Sequence, residues 1–505
     1  MTEILKSGQV YVDKTQFIPV LLRNKCYFLS RPRRFGKSLF LSTLEQFFLG
    51  NRQLFDGLAI SNYDWSWETY PIIRMSFGTG SFTEEGGLEE RMLEIIEDVE
   101  DSYHVEVKGN SPRARLRNLI LQLYKQTGKG VVILIDEYEK PLLDSYGEEI
   151  FDNNHKKLSA FYSVFKDNLD KTKFLFITGV SRFGQLNIFS GLNNLQDISL
   201  EPQFQAICGI TEEEIRSFLM PGVEHFAEEN DCSVEEAIGR LKEYYDGYHF
   251  SQNLLDIYNP WSLINCLNSG RLKSEWFRSG SPSYLLKILK KKNYDIQGLL
   301  GSMVSENKLT GSGVDIMDPT SLLYQTGYLT IKDYDRENSL YKLGMPNFEV
   351  RTALLECIIP FYLGKEETLE RSDVIKLFGY LEEGEADKMM EWLSAYFSKI
   401  SFDNKLRFER DFQMIVLGIF LLIKDFKDVH CEYAMSSGRT DLVVEASNYV
   451  YVFEFKIGED PAKALEQINS RAYDLPWRAD GRKVFKIGAA FSTNNNGILS
   501  YRIEE

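Results

Sequence analysis

Two carboxylates and a lysine near the C-terminus lie in segments that are typical of β-strands. Asp441 opens one apolar run, and Glu454 and Lys456 lie in a second run beyond the turn residues Ser447 and Asn448. Side chains two positions apart in a strand share a face, so Glu454 and Lys456 are predicted to point to the same side. Strands that pair about this turn would bring Asp441 and Glu454 to the same end of a hairpin. Charges in apolar strands are costly unless they are paired or bind a metal.

This carboxylate–lysine set suits metal-dependent hydrolysis of a phosphodiester bond. We expect Asp441 and Glu454 to bind one or two Mg²⁺ or Mn²⁺ ions, which polarise the phosphate and stabilise the leaving oxygen. Lys456 would position water and neutralise charge on the phosphate. Glu409 on the preceding predicted helix would complete the metal shell, and Gln467 on the following one would reach the same site. The alternative is a solvated edge strand, in which Glu-x-Lys strings are common; Asp441 and the apolar flanks favour the metal site.

A second set of residues, near the N-terminus, is typical of phosphate binding. Gly36, Lys37 and Ser38 follow a short β-prone run and begin a predicted helix. In a Walker A loop the backbone amides surround the phosphates, the lysine contacts the outer phosphates and the serine hydroxyl binds Mg²⁺. The complete pattern has a glycine where this chain has Arg31. Arg31 and Arg34 supply positive charge but not the backbone freedom of glycine, so the sequence favours nucleotide binding over hydrolysis.

Two apolar runs end in polar residues that would complete this nucleotide site. The run 131–135 ends in Asp136 and Glu137, and the run 174–177 is followed by Arg182. Buried parallel strands read as continuous apolar runs, and ligands bind beyond their carboxyl ends. We expect Asp136 to hold Mg²⁺ through water, Glu137 to polarise the attacking water and Arg182 to sense the terminal phosphate. The alternative for both segments is an ordinary strand end with solvated polar residues.

The elements that position these residues predict an α/β protein of several domains. Strands predicted in the first 205 residues alternate with helices, which is typical of a parallel sheet with helices on both faces. We therefore predict a P-loop NTPase sheet core over 1–205, a helical lid over 206–270 and a mainly helical or winged connector over 271–395. Residues 396–505 follow an α-β-β-β-α order. They are predicted to form a separate α/β domain that carries the carboxylates and the lysine.

Composition narrows the functional classes. The 505 residues are roughly three times the usual length of one domain. A formal net charge of -16 argues against a protein that coats nucleic acid non-specifically, but not against a metal-dependent enzyme. Residues 1–40 differ from the rest, since eight Lys or Arg against two acidic residues give +6. No apolar run is long enough to span a membrane, no secretion signal opens the chain and the six cysteines form no CxxC pair, so we expect a cytoplasmic protein.

A series of short motifs runs along the chain in an order that resembles one bacterial family. The N-terminal and middle motifs are YVDKT (11–15), RPRRFGKS (31–38), LIDEYEKPL (134–142), FITGVSRF (176–183), IFSGLNNLQDIS (188–199), YYDGYHF (244–250), YNPWS (258–262) and YQTGYLTI (324–331). The C-terminal motifs are GRTDLVV (438–444), FEFK (453–456) and ALEQI (464–468). Together they resemble the AAA-ATPase-like proteins that are fused to a C-terminal PD-(D/E)xK nuclease-superfamily domain.

The resemblance implies a fold and a role for each motif. It implies a P-loop ATPase core with a helical lid, followed by a restriction-endonuclease-like α/β domain. Nucleotide and Mg²⁺ binding would fall to Lys37 and Ser38, and the Walker B role to Asp136 and Glu137. In the nuclease part, the family assigns metal binding to Asp441 and Glu454, catalysis to Lys456 and a supporting role to Gln467. Arg31 in place of the Walker A glycine is shared with the family.

These observations favour a nucleotide-regulated hydrolase that binds ATP and cleaves DNA or RNA with Mg²⁺. A switch of a different class is the alternative: ATP binding would drive assembly or partner recruitment, and the C-terminal domain would bind nucleic acid or protein without cleavage. A third hypothesis keeps the carboxylates and the lysine only as a structural scaffold. Oligomerisation is compatible with the first two, and neither involves a membrane.

Overall fold

A computed structural model of the chain describes residues 1–182, 188, 189, 192, 194–275, 302–311, 318–354, 371–398, 409–423, 429–435, 438–492 and 497–505. Contacts divide these residues into two units. The first unit contains the described residues up to 275 together with 302–348, and the second contains those from 349 to the C-terminus. The boundaries of the four domains expected from the sequence stay predictions.

Five short strands, the first four of them largely apolar, form the sheet of the first unit. They are β1 (Cys26–Ser30), β2 (Ile72–Ser76), β3 (Val131–Asp136), β4 (Thr172–Gly179) and β5 (Gln196–Asp197). All are parallel, in the order β2-β3-β4-β1-β5. Every residue of β1 and β3 is buried, as the continuous apolar runs predict. This order brings the carboxyl ends of β1, β4 and β3 side by side.

Helices alternate with these strands, which confirms the predicted α/β core. Their bounds are α1 (Thr2–Lys6), α2 (Ile18–Leu21), α3 (Lys37–Phe48), α4 (Gly87–Tyr103), α5 (Pro112–Thr127), α6 (Lys140–Asp144) and α7 (Phe151–Asp167). Ser111 caps α5 by accepting a hydrogen bond from the Ala114 amide, and Gly128 ends the helix in a left-handed conformation. Short loops of this kind hold the strand ends in place.

The middle of the first unit is helical, as the pattern predicts for a lid. Its helices are α8 (Glu212–Glu214), α9 (Met220–Glu229), α10 (Val234–Tyr245) and α11 (Pro260–Ser269), and a π-helical turn (Ile215–Leu219) joins the first two. Capping boxes at Thr211 and Ser233 begin α8 and α10. The helices enclose a core of their own, which includes Phe226, Leu241 and Leu263.

A small antiparallel sheet belongs to the same unit. Its strands β6 (Met303–Ser305), β7 (Thr330–Asp335) and β8 (Leu340–Gly344) lie in the order β6-β8-β7, and the short helices α12 (Glu306–Thr310) and α13 (Pro319–Gln325) connect them. β7 and β8 pair as an antiparallel hairpin. Gln325, the last residue of α13, accepts a hydrogen bond from the Arg182 amide at 2.7 Å.

The second unit is built on a mixed sheet of five strands. They are β9 (Val429–Met435), β10 (Gly438–Glu445), β11 (Tyr449–Ile457), β12 (Lys483–Ser492) and β13 (Gly497–Glu504), and the order is β13-β12-β11-β10-β9. Only β11 and β12 pair in parallel among these neighbours. Its helices are α14 (Arg371–Glu383), α15 (Ala386–Ser398), α16 (Glu409–Ile423) and α17 (Pro461–Arg471). The predicted α-β-β-β-α order is confirmed.

The apolar helix α16 has 15 residues within the described part of the chain, whereas a spanning helix needs about 20. In the part of the chain that the structure describes, no helix has both the length and the apolar character needed to cross a bilayer.

Candidate nucleotide and metal sites

The loop between β1 and α3 is shaped by two residues with left-handed backbone. Arg34 has φ 66° and Gly36 has φ 91°, and Gly36 is the residue that caps α3. Position 31 does not need the freedom of glycine, because Arg31 is not among the described residues with positive φ. Lys37, in the first turn of α3, donates hydrogen bonds to the carbonyls of Arg31 at 2.9 Å and Pro32 at 2.8 Å. The loop therefore closes without the glycine of the complete motif.

The polar strand ends meet beside this loop. Asp136 is buried at the end of β3 and accepts a hydrogen bond from the Thr178 hydroxyl of β4 at 2.8 Å. Burial lowers the pKa of Lys37, and the charges of Asp136 and Glu139 oppose that shift. Glu137 has φ 53° and lies near Gly78 beyond β2, where an added Cβ would lie 3.3 Å from its Oε2. Asp136 and Glu137 thus lie at the carboxyl end of β3, as the sequence predicts.

Ser38 is exposed on the first turn of α3, next to the buried Lys37. A helix N-terminus with free amides, a lysine and a hydroxyl fits the phosphates of a nucleotide and a bound Mg²⁺. Asp136, at the adjacent strand end, supplies the carboxylate that such a cation needs. The residues present therefore fit ATP with Mg²⁺.

The three arginines predicted to contact nucleotide are each engaged elsewhere. Arg31 is 1% exposed, and its guanidinium donates to the carbonyls of Ser30, Ser199 and Phe204 at 2.9, 2.8 and 3.1 Å. Its carbon Cζ also lies 4.2 Å from the centre of the Phe250 ring. Burial lowers its pKa to about 10. Arg31 thus joins the loop to the segment after β5 and to the lid.

Arg34 and Arg182 contact other parts of the same unit. Arg34 donates to the Glu275 carbonyl at 2.6 Å, and its Cζ lies 4.6 Å from the centre of the Trp261 ring. Arg182 forms an ion pair with Asp197 at 2.8 Å. A direct nucleotide contact from any of the three arginines stays a prediction.

In the second unit, the hairpin of β10 and β11 brings the predicted carboxylates together. Leu442 pairs with Phe453, and the same register sets Asp441 opposite Glu454. The backbone amide of Phe455 donates to Asp441 Oδ2 at 2.7 Å. Lys456 Nζ lies 3.0 Å from Glu454 Oε1. The hairpin predicted from the turn at Ser447 and Asn448 is confirmed, and so is the shared face of the acid and the lysine.

The burial of these groups differs in a way that suits a divalent cation. The Glu454 carboxylate is 2% exposed and Asp441 is half-buried, while the Lys456 side chain is 21% exposed. Two carboxylates close together, one of them buried, are costly without positive charge nearby, and a divalent cation would add such charge to that of Lys456. Mg²⁺ is commonly held by one or two carboxylates with water and phosphate oxygens, so the donor set fits.

The two remaining predicted residues lie on the flanking helices. Gln467 is half-buried on α17, the helix that packs against β11 and β12. Glu409 begins α16, but its side chain lies outside the described part of the chain. Among the described residues, no group of three or more His, Cys, Asp or Glu lies close enough to hold a metal ion. The shell seen here is therefore limited to Asp441 and Glu454, and the roles of Glu409 and Gln467 stay predictions.

Comparison with known proteins matches both units. One family model, described as "Predicted AAA-ATPase", covers residues 1–189, and another, the PD-(D/E)XK nuclease superfamily, covers residues 407–500. A protein of Azotobacter chroococcum mcd 1, named "Uncharacterized protein in vnfD 5'region", is 32% identical over 506 residues. The alignment spans 98% of this chain and 95% of the relative.

The chain belongs to the family of AAA-ATPase-like proteins fused to a PD-(D/E)XK nuclease domain. The family resemblance read from the motifs is thereby confirmed. The AAA-ATPase-like match includes Lys37, Asp136 and Arg182, and the PD-(D/E)XK match includes Asp441 and Lys456. The family relationship supports an ATPase-like part and a nuclease-like part on one chain.

In the AAA-ATPase-like part, the sequence reasoning missed Glu139. Its Oε1 accepts hydrogen bonds from the amides of Val180 and Ser181 at 2.5 and 2.9 Å, just beyond β4. Its Oε2 is buried and has no hydrogen-bond partner in the described part of the chain. Burial raises the pKa of Glu139 to about 7. The sequence signal for this residue is the third acidic position of the string Asp-Glu-x-Glu, but the first two positions alone account for the motif.

Replacement of Glu139 by Gln is expected to remove a pH-dependent loss of stability. The folded carboxyl keeps its proton up to a pKa of about 7, whereas the ordinary pKa of a glutamate is 4.5. The folded state therefore binds more protons in that window, and the free energy of unfolding falls as pH rises, by up to about 3 kcal/mol. Urea unfolding at about pH 5 and about pH 8 measures the change. Parallel profiles for the native chain and Glu139→Gln would contradict it, and exposed Glu149→Gln is the control.

Replacement of Arg31 by Met is expected to destabilise the first unit by about 2–4 kcal/mol, because the carbonyls of Ser199 and Phe204 lose a buried donor. Arg33, two positions away, is exposed, so Arg33→Met should change stability by no more than about 0.5 kcal/mol. Urea unfolding of the two variants measures the difference. Equal stability of the two variants would show that the hydrogen bonds of the buried guanidinium add no measurable stability.

Proposed function

We propose that this protein binds ATP and cleaves phosphodiester bonds of DNA or RNA in a Mg²⁺-dependent reaction, and that nucleotide binding regulates the cleavage. The observation that carries the nuclease proposal is the buried Glu454, paired with Lys456 and set opposite Asp441 in the β10–β11 hairpin. The family relationship supports the same reading. Because buried charges are costly unless they are paired or bind a metal, this group favours a chemical role over a packing one.

Each charged residue of the hairpin has its own role in the proposed hydrolysis. Mg²⁺, when bound, polarises the scissile phosphate and lowers the pKa of water. Asp441 and Glu454 provide the carboxylate oxygens, and the hydrogen bond from the Phe455 amide holds Asp441 in orientation. Lys456, whose side chain is partly exposed, would turn from Glu454 toward a phosphate oxygen and neutralise the charge that develops there. Gln467 on α17 would have a supporting role at the same site.

The nucleotide loop is proposed to act by exchange of hydrogen bonds. Lys37 now donates to two loop carbonyls, and bound ATP would replace these acceptors with phosphate oxygens. The amides at the start of α3 would contact the same phosphates, and the Ser38 hydroxyl with Asp136 would hold Mg²⁺. Glu137 would orient a water for hydrolysis.

A cleavage assay tests the proposal. We expect the full chain to cut single- or double-stranded DNA or RNA in the presence of Mg²⁺ or Mn²⁺, and we expect ATP to change the rate. EDTA should abolish the activity. No cleavage of any of the four substrates with either metal, at any ATP concentration, would refute the nuclease proposal. Cleavage that ATP leaves unchanged would refute the regulatory part alone.

The contact between the loop and the lid favours a second candidate, an ATP-driven switch. Arg34 of the loop contacts Trp261 and the Glu275 carbonyl. Phosphate binding at the loop would therefore shift α11 and, with it, the helical lid. In this case the C-terminal domain would bind nucleic acid or protein without cutting. The switch predicts an ATP-dependent change of elution volume on a sizing column together with no cleavage, and the nuclease predicts cleavage.

A further inference from the structure

A cleft of about 520 Å³ opens on the first unit, at the edge where the parallel strands begin. Lys25 precedes β1, Tyr70 precedes β2 and Lys173 is the second residue of β4, and all three line the cleft. The nucleotide loop lies beyond the carboxyl ends of the same strands. Since a strand of five residues is about 16 Å long, the cleft and the loop are separate sites. Its volume is in the range of small-molecule binding pockets, roughly 300–1,000 Å³.

Half-buried indole rings form one wall of this cleft. Phe47 lies behind them, with its ring centre 6.1 Å from that of Trp65 and 5.5 Å from that of Trp67. Tyr63 is 49% exposed and lies 6.4 Å from Trp65 at a small interplanar angle of 31°. The Trp65 Nε1 atom is buried and has no hydrogen-bond partner among the described residues.

The other wall and the mouth are positively charged. Arg23, Lys25 and Lys173 are exposed, line the cleft and form no ion pair within the described part of the chain. Glu68, the acidic residue among the lining side chains, accepts a hydrogen bond from the Tyr70 hydroxyl and lies 3.4 Å from the Lys129 ammonium, which balances its charge. The cleft therefore carries excess positive charge in a chain of net charge -16. Such a site complements an anion.

We propose that the cleft binds single-stranded nucleic acid. Its bases would stack on Trp65 and Trp67, and its phosphates would lie against Lys25 and Lys173. Aromatic platforms beside a basic groove are the common means of binding single strands without sequence preference. An acidic peptide would use the cations but would leave the indole faces without a planar partner. The proposal adds a strand-binding site to the proposed function, and its test does not depend on cleavage.

Fluorescence anisotropy of a labelled, short oligothymidylate with the full chain tests the proposal, in EDTA so that no cleavage occurs. Trp65→Leu is expected to weaken binding by about tenfold, in line with the loss of one stacked base. The double variant Lys25→Gln/Lys173→Gln should lower the slope of log affinity against log salt by roughly 1.4, as expected for two lost phosphate contacts. Because both lysines are exposed, this variant remains informative if Trp65→Leu fails to fold.

Matched variants elsewhere on the same unit serve as controls. Tyr124→Leu removes another exposed ring, and Lys108→Gln/Lys125→Gln removes two other exposed charges. Both should leave affinity and salt slope unchanged. Equal losses in the control variants, or no loss in either cleft variant, would overturn the proposal.

Competition experiments distinguish single-stranded nucleic acid from acidic peptides and from free nucleotides as ligands of the cleft. Displacement of the oligothymidylate by polyglutamate at a similar concentration would also overturn the proposal, because it would assign the cleft to acidic peptides. AMP, tested on the Lys37→Ala variant so that the loop does not bind it, should displace the strand only weakly. Displacement by AMP at a similar concentration would assign the cleft to a free nucleotide instead.

Discussion

Asp441→Asn is expected to reduce Mg²⁺-dependent cleavage by roughly 10³-fold while leaving the fold unchanged. The amide oxygen of Asn can still accept the hydrogen bond from the Phe455 amide, so the strand keeps its local geometry. What is lost is one of the two negative charges that would hold the cation. Lys456→Ala should cause a loss of similar size, because it removes the cation nearest to Glu454. Initial rates on a labelled oligonucleotide, with Tm as the check on folding, measure both effects.

Glu445→Gln supplies the matched control for these variants. Glu445 lies on the same strand, four residues beyond Asp441, and pairs with His430 and Arg482 instead of Lys456. Its replacement should leave the cleavage rate within about twofold, although stability is expected to fall slightly. Equal rates for Asp441→Asn, Lys456→Ala and Glu445→Gln would mean that the hairpin charges serve only as a scaffold.

Lys37→Ala is expected to weaken ATP binding by about 100-fold, because two charge-assisted hydrogen bonds to phosphate are lost. Lys37 is 6% exposed and its ammonium is held by the loop, so no neighbouring lysine can replace it. Arg33→Ala is the control: this side chain is exposed in the same loop, and its loss should have a far smaller effect. Isothermal titration with ATP in the presence of Mg²⁺ measures the two affinities. A loss no larger than that of Arg33→Ala would place the nucleotide elsewhere.

The sequence predicted most of the framework because its signals are local. Continuous apolar runs marked β1, β3 and β4, and the turn residues Ser447 and Asn448 set the register that aligns Asp441 with Glu454. These features depend on neighbours a few positions away, so a period and a turn suffice to predict them. The parallel sheet, the helical middle and the C-terminal α/β domain all followed from such patterns.

The direction of individual side chains could not be predicted, because it depends on distant residues. Arg31 was expected at the phosphates, but its guanidinium is taken by carbonyls at Ser199 and Phe204, about 170 positions along the chain. Glu139 accepts its hydrogen bonds from amides just beyond β4, more than 40 positions away. Sequence pattern gives no information on such contacts. It therefore cannot tell a charged residue that binds a ligand from one that binds a distant part of the chain.

The position of β4 between β1 and β3 has a consequence for synthesis of the chain. β1 ends at Ser30, whereas its partner β4 begins at Thr172 and β5 follows at Gln196. A ribosome that adds about 5–20 residues per second needs roughly 7 to 28 s to make the intervening 141 residues. During that time the apolar strand Cys26–Ser30 has both edges unpaired, and open edges invite pairing with other chains. The newly made N-terminal segment therefore depends on protection from other chains until β4 and β5 have been synthesised.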